Sequence, residues 1–147
     1  MARLKSNQAR TAGSALVEFA LVSPVLLLLL AGVLDYGRAL RHATAVANAA
    51  RVGAQYSSRT PANSMDTAGI RAAAVSSAPD LGGLTVTSTR SCQCSGGSAV
   101  SCTGSCGGSK MQIYVQVSVT GNVAAIFNYS GLPYPGNVAA RATMRVQ

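Results

Sequence analysis

An apolar run near the N-terminus constrains the fold of this chain more than any other feature. From Ala15 to Leu34 the sequence reads "ALVEFALVSPVLLLLLAGVL", which is 20 residues with a single charge at Glu18. A helix rises about 1.5 Å per residue, so this run covers about 30 Å, the thickness of a bilayer's hydrocarbon core. It therefore predicts a transmembrane helix, and the 147-residue chain has room for one small domain besides.

Basic residues ahead of this run predict its orientation. Arg3, Lys5 and Arg10 precede it with no acid among them, and the positive-inside rule holds such a leader in the cytoplasm. The remainder is then translocated, although Arg38 and Arg41 reduce the charge asymmetry. We therefore predict a single pass through the inner membrane, with the N-terminus in the cytoplasm and the C-terminal domain in the periplasm.

The residues after the run continue a helical pattern. Apolar or small residues recur at alternating spacings of three and four, and this predicts one helix from about Ser14 to Ser57 with an amphipathic second half. A ridge of small residues lies on it and consists of Ala39, Ala43, Ala47, Ala50 and Ala54. Such a ridge permits close approach of another backbone, in this chain's own sheet, in neighbouring subunits, or in both. Beyond Ala43 we favour packing on the chain's own sheet.

The rest of the chain predicts a small α+β head. A short second helix is expected in "SMDTAGIRAAAVSSAP", with Ser64 as its cap and Pro79 beyond its end. The period then changes to two, and "LTVTSTR", "MQIYVQVSV" and "NVAARATMRV" predict three strands. In the last strand one face would carry Val138, Ala140, Ala142, Met144 and Val146. The predicted organisation is a leader over residues 1–13, a membrane and stalk helix over 14–57, and a head over 58–147 with a cysteine loop at 92–106.

Glu18 needs an explanation, because a carboxylate at the centre of a membrane helix costs about 2.5–3.5 kcal/mol and somewhat less near its ends. In one interpretation it reaches the headgroups and complements the helix N-terminus. In the other, a peptidase cuts after Gly13, so that Ser14 gains a charged α-amino group and Glu18 becomes the fifth residue, one turn away on the same face. That amine could pair with Glu18 of its own or an adjacent subunit and set the register of two helices in a dry interface.

The stretch "GSALVEFALVSP" resembles the type IV pilin-like pattern of a glycine cleavage site, a glutamate at the fifth mature position, an aromatic residue and an apolar helix. The longer run "GSALVEFALVSPVLLLLLAGVLDYGRALRHATAVANAARVGA" resembles the TadE-like minor pilins of tight-adherence (Tad/Flp) systems, and the terminal "AARATMRVQ" also fits that family. The resemblance implies a type IV pilin-like helix followed by a small antiparallel sheet. It also implies cleavage by a prepilin peptidase between Gly13 and Ser14, with Glu18 and Phe19 in the recognition and assembly motif.

The resemblance further implies the partners of the chain. They are the prepilin peptidase, other minor and major pilins, the pilus assembly platform and the inner membrane. It also allows for incorporation into an extracellular pilus.

Pro24 departs from an ideal helix. It lacks an N–H and frees the carbonyl of Ala20, which allows a bend. A membrane proline that the helix merely tolerates is the other interpretation, and both stay open.

The four cysteines, Cys92, Cys94, Cys102 and Cys106, follow the spacing C-x-C-x₇-C-x₃-C. Zinc sites usually show paired C-x₂-C elements, and a redox C-x-x-C is absent, so two disulfides are predicted in an exported domain. A Cys92–Cys94 bridge is sterically awkward. Of the two remaining connectivities we favour the nested one, Cys92–Cys106 with Cys94–Cys102, over the crossed one.

No residue pattern predicts catalysis or nucleic-acid binding. His42 is the only histidine and fits a polar stalk residue, Asp35 and Asp66 have no evident partner carboxylate, and no phosphate loop is visible. Despite the net charge of +8, the basic residues after the leader are scattered singly and no patch interleaves them with aromatics. We expect no enzyme activity, cofactor, metal, small-molecule substrate or nucleic acid. Interface or core roles are expected for Tyr36, Tyr114, Tyr129 and Tyr134.

Three functional hypotheses follow. The first is a minor pilin or pseudopilin that primes or tips a tight-adherence pilus for surface attachment. The second is an uncleaved single-span inner-membrane protein with a periplasmic binding domain. The third is a secreted domain with a removable signal peptide, although the apolar run exceeds the usual 7–15 residues of such a signal and the nearest A-x-A lies beyond it, at Ala43–Ala45.

Overall fold

The computed structural model describes residues 5–127, 134 and 136–147, with side chains from residue 13 onward. Residues 1–4 of the predicted leader and Tyr129 lie outside the described residues. The elements are α1 (Lys5–Ser58), α2 (Thr67–Ser76), β1 (Thr85–Cys94), β2 (Ala99–Val100), β3 (Met111–Asn122) and β4 (Asn137–Arg145). The predicted α+β class is confirmed: a long N-terminal helix precedes a short helix and an antiparallel sheet.

Helix α1 begins earlier than the sequence pattern predicts. It starts at Lys5 instead of about Ser14, and it ends at Ser58, one residue beyond the predicted end. The leader segment "KSNQARTAG" contains good helix formers such as Lys5, Gln8 and Ala9 and no proline, so no residue in it prevents extension of the helix. The helix also continues through Pro24, whose bend remains a prediction.

In the described part of the chain the sheet has four strands in the order β2-β1-β3-β4, and every neighbouring pair is antiparallel. The three predicted strands are present, and the two-residue strand β2 was not predicted. A tight turn creates β2: the Cys94 N–H donates to the Ser98 carbonyl and the Gly97 N–H to the Cys94 carbonyl, at 2.9 and 2.8 Å. Gly97 has φ +87°, a left-handed conformation that glycine adopts without steric penalty.

The core forms where the second half of α1 crosses one face of the sheet. Its fully buried members include Ala50 and Ala54 from α1, Ile70 from α2, and Val115 and Val117 from β3. For Ala50 and Ala54, this confirms that the alanine ridge beyond Ala43 packs on the chain's own sheet. On β4 the predicted apolar face is also confirmed, since its members are buried or half-buried against the same core: Val138, Ala140, Ala142, Met144 and Val146.

Gly53 marks a close approach of α1 to its neighbours in this core. A Cβ atom at Gly53 would lie 3.2 Å from Cγ1 of Val117 and 3.3 Å from Cβ of Ala74. The sheet and α2 therefore meet α1 where its side chain is only a hydrogen, which explains a residue that weakens helices elsewhere.

The cap of α2 differs from the prediction. Asp66 caps the helix, with its Oδ1 accepting from the Gly69 N–H at 2.8 Å. Ser64 is not the cap, because its hydroxyl donates to the Pro61 carbonyl at 2.6 Å in the preceding turn and the helix begins only at Thr67.

The Asp66 carboxylate also joins α2 to α1. The Tyr56 hydroxyl donates to its Oδ2 at 2.8 Å. The Gly69 N–H, and then the Tyr56 hydroxyl, lower the pKa of Asp66 below its ordinary value. The same hydrogen bond raises the pKa of Tyr56.

The C-terminus is fastened to the end of the long helix. After β4, the Val146 N–H donates to the Ile113 carbonyl at 2.8 Å and the Gln147 N–H donates to the Ser58 carbonyl at 3.0 Å. The last residue of the sequence therefore meets the last residue of α1.

Candidate assembly surface and its junction with the head

The first half of α1 offers an apolar surface that the head does not cover. Every large apolar side chain from Leu16 to Leu34 is 53% to 73% exposed. Within the part of the chain that the structure describes, only the helix over Gly13–Ser58 is long and apolar enough to cross a membrane, and its most apolar window is not buried. A buried core helix would also be apolar, but it would not be exposed in this way. One such helix near the N-terminus suggests a single-pass membrane protein.

Ser14 and Glu18 lie together at the start of this surface. The Ser14 hydroxyl donates to Oε1 of Glu18 at 3.4 Å, and both side chains are exposed. The two residues therefore share a helix face one turn apart, which is the geometry that pairing of a residue-14 amine with this carboxylate requires. Phe19, the next residue, is 68% exposed and is available to a neighbouring helix or to lipid.

Gly13 has no packing role in the folded chain. A Cβ atom built on it would meet no other atom within 4 Å, and the residue is exposed. The fold therefore does not require glycine at this position. A role of this glycine in peptidase recognition remains a prediction.

Asp35 is the polar residue that the sequence interpretation missed. It follows Leu34 directly, is 5% exposed, and accepts hydrogen bonds from the backbone N–H groups of Ile126 and Phe127 at 2.8 and 3.0 Å. We call this arrangement, Asp35 with the two N–H groups, the Asp35 clamp. It fixes the segment after β3 to α1 at the point where the apolar run ends.

A signal for Asp35 was present in the sequence. Asp35, Ala39 and Ala43 follow one another at a spacing of four, so the acid lies on the same stripe that turns toward the head. As a candidate catalytic residue, Asp35 has no evident partner carboxylate in the sequence. Its partners are backbone groups about ninety positions later, and side-chain patterns do not reveal them.

The model of the TadE-like protein family matches residues 13–55. This confirms the resemblance found in the sequence, over the segment that carries it, and suggests a protein associated with the Tad pilus. No curated protein and no solved structure matches the chain significantly.

The TadE-like segment, residues 13–55, begins at the glycine of the predicted cleavage site and contains both halves of the helix. It includes Ser14, Glu18 and Asp35, together with most of the ridge that packs on the sheet. The cysteine loop and the strands lie outside it.

The cysteines form two disulfides, as predicted, but the favoured pairing was wrong. Cys92 bonds Cys102, and Cys94 bonds Cys106, which is the crossed connectivity. The hairpin of β1 and β2 gives the reason. Because Cys92 lies opposite Val100, the chain beyond β2 brings Cys102 nearer to Cys92 than to Cys94. Nested pairing assumed a simple loop between the long strands and overlooked this hairpin.

The structure also positions the further candidates His42, Tyr36 and Tyr114. His42 is half-buried and lines an open groove with Arg38, Arg41 and Asp80. Tyr36 is 62% exposed, whereas the half-buried Tyr114 donates to Oε1 of Gln112 at 2.8 Å. Over residues 5–127, 134 and 136–147 no group of three or more His, Cys, Asp or Glu side chains could hold a metal ion.

Proposed function

We propose that the chain is a minor pilin or pseudopilin that a prepilin peptidase trims after Gly13 and that enters, primes or tips a tight-adherence pilus. Its role is structural and not enzymatic. In the precursor the head lies in the periplasm and α1 spans the inner membrane. The pilus machinery then extracts the mature chain from the membrane.

The contact between Ser14 and Glu18 carries this proposal. It places a carboxylate beside the residue that would bear the new α-amino group, at the beginning of an exposed apolar helix. The family match begins at the adjacent Gly13. An anchor that only crosses the membrane has no need of an acid at this depth, whereas two sliding helices can use it to fix their register.

The exposed half of α1 supplies the driving surface for assembly. In a filament, its large side chains would leave lipid for the side chains of neighbouring helices and would not meet water. Because close packing without polar groups selects no single alignment, the amine and the carboxylate would select it.

Identification of the N-terminal residue of the mature protein tests this proposal. We expect Ser14, while Met1 or Ala2 would contradict it and favour an uncleaved anchor. A start near Val46 would indicate a removed signal peptide. Replacement of Gly13 by leucine should preserve membrane insertion and abolish trimming, since nothing in the fold constrains this position.

Two substitutions of Glu18 separate membrane insertion from assembly. Glu18→Ala and Glu18→Gln should insert normally and reach the pilus poorly, as measured by immunoblots of membrane and sheared-pilus fractions. Asp80→Ala is the matched control, because Asp80 is a highly exposed acid of the head. Normal piliation in both Glu18 variants would contradict the registry role.

The uncleaved anchor remains a second candidate for one reason. Helix α1 runs without interruption from Lys5 through Gly13 and Ser14. A peptidase must gain access to that bond, while a simple anchor needs no access at all. N-terminal sequencing decides between the two.

A further inference from the structure

The head exposes two adjacent large apolar side chains, which we call the apolar pair, and their position along α1 is informative. Among the described residues outside α1, the exposed large apolar side chains are Met65, Val75, Ile126 and Phe127. Of these, only Ile126 and Phe127 are adjacent in the chain, with 52% and 44% of their surfaces exposed.

The Asp35 clamp fixes the position of the apolar pair along α1. Since Asp35 follows Leu34 directly, its two hydrogen bonds hold the backbone of Ile126 and Phe127 level with the end of the apolar run. The head therefore descends along α1 as far as the edge of the predicted hydrocarbon core, and it presents two large apolar side chains there.

The clamp offsets two free-energy penalties that arise close to the hydrocarbon of a membrane. A carboxylate close to hydrocarbon is unfavourable unless hydrogen-bond donors surround it. Irregular backbone close to hydrocarbon is unfavourable unless its N–H groups find acceptors. In the clamp, the two N–H groups satisfy the carboxylate and the carboxylate satisfies them.

Charges farther along α1 mark where the headgroups begin. Arg38 and Arg41 are exposed and lie three and six residues beyond Asp35, which is about 5 and 9 Å along the helix axis. A long basic side chain such as that of Arg38 can reach lipid phosphates from this distance while its stem stays on apolar surface, whereas the guanidinium of Arg41 lies 3.9 Å from the Asp80 carboxylate. The apolar pair lies on the membrane side of both.

We propose that Ile126 and Phe127 insert into the head-side interface of the phospholipid bilayer, beside α1, and that Asp35 is the positioning residue for this contact. The head then touches the membrane through a second element and does not merely follow the helix. This inference needs α1 to span a bilayer, but it does not depend on cleavage after Gly13 or on entry into a pilus.

Tryptophan fluorescence in vesicles tests the insertion. The chain contains no tryptophan, so Phe127→Trp introduces a single probe. The full chain would be reconstituted into phosphatidylcholine–phosphatidylglycerol vesicles with lipids brominated at a shallow or a deep acyl position. We expect blue-shifted emission with stronger quenching by the shallow bromines.

Met65→Trp is the matched control. Met65 is also exposed, and it adjoins Asp66, whose partner Tyr56 lies 21 residues beyond Asp35, about 30 Å along α1. Its emission should stay red-shifted and unquenched by either lipid. Quenching of the Phe127→Trp probe that does not exceed this control would overturn the proposal.

Adding Asp35→Ala to the Phe127→Trp chain tests the positioning role. Loss of quenching, with both disulfides formed, supports the clamp, and quenching that persists overturns its role. Asp35→Asn should retain part of the quenching, because an amide oxygen still accepts one of the two hydrogen bonds. If Asp35→Ala does not fold, the Asp35→Asn result and the Phe127→Trp result still decide the proposal.

Discussion

The two halves of α1 belong to one helix but carry side chains of different size and exposure. From Leu16 to Leu34 the helix carries leucine, valine and phenylalanine, none of them less than 53% exposed. From Val46 to Ala54 the residues that face the sheet are mainly alanines and are fully buried. Large side chains distributed around a helix suit lipid or neighbouring helices, whereas small ones on one face bring the axis close to a sheet. A single helix can therefore serve two environments, and side-chain size shows where one ends.

The largest test of this contrast is an exchange of side-chain size between the halves. Ala50→Leu should destabilise the head by about 1–3 kcal/mol, because the added atoms have no space between α1 and the sheet. Thermal unfolding followed by near-ultraviolet circular dichroism would measure the change. Leu27→Ala, in the exposed half, should leave the head unfolding transition where it is. Equal shifts for the two variants would mean that the halves are not distinct.

The second test concerns Asp35, where the halves meet. Asp35→Ala should cost about 1–3 kcal/mol, because it leaves two backbone N–H groups without their acceptor at a buried position. Amide exchange at Ile126 and Phe127 should accelerate, while exchange at Val117 in the core should change little. In Asp35→Asn, the exchange rates at Ile126 and Phe127 should lie between those of Asp35→Ala and those of the native chain. Unchanged protection at Ile126 and Phe127 in Asp35→Ala would refute the clamp as a fastening.

A smaller test compares two glycines of α1. Gly37 has open space around it, so Gly37→Ala should stabilise the helix by about 0.5–1 kcal/mol. Gly53→Ala should gain less or lose stability, because its methyl group would meet Val117 at 3.2 Å. Paired chemical-denaturation curves in detergent micelles would measure both. Equal gains would show that α1 does not approach the sheet as closely as the structure indicates.

The smallest expected effect depends on pH and concerns the hydrogen bond between Tyr56, in the second half of α1, and Asp66. Asp66 has a lowered pKa in the folded chain, so its stabilising contribution is present above its ordinary value of 3.8 and is lost as the pH falls through the folded pKa. Tyr56 has a raised pKa, so its contribution is complete below 10.0 and is lost as the pH rises through the folded pKa. The melting temperature should therefore fall at both extremes.

Asp66→Asn isolates the acidic side of that profile. The amide oxygen can still cap α2, but the residue no longer titrates, so the decline below about pH 4 should become shallower. Glu18→Gln, in the exposed half, should leave the profile of the head unchanged. An acidic decline that is identical in Asp66→Asn and the native chain would exclude Asp66 as its source.

Local patterns made much of the fold predictable. The apolar run, the alternation in three strands and the face of β4 each depend on neighbouring residues, and each was confirmed. The predicted cap of α2, Ser64, was wrong, because Asp66 two positions later is an equally good capping residue by type. The turn at Pro61 engages the Ser64 hydroxyl and leaves the cap to Asp66.

Features that depend on distant pairing were not predictable. The cysteine connectivity follows from β2, whose two residues carry no strand pattern and whose hairpin depends on a glycine turn. The Asp35 clamp joins a helix to a backbone segment far along the chain. For the candidate assembly surface, the sequence predicted the shared face of Ser14 and Glu18, because helical spacing alone determines it.

The fastening of Gln147 to Ser58 has a mechanical consequence when it is taken with the contact at Asp35. The two attachments are 23 residues apart on one rod, which is about 35 Å. A sideways force on the head is therefore shared by two well-separated attachments, and neither attachment has to resist the whole torque. Traction along α1 would therefore act on the head at both of these attachments.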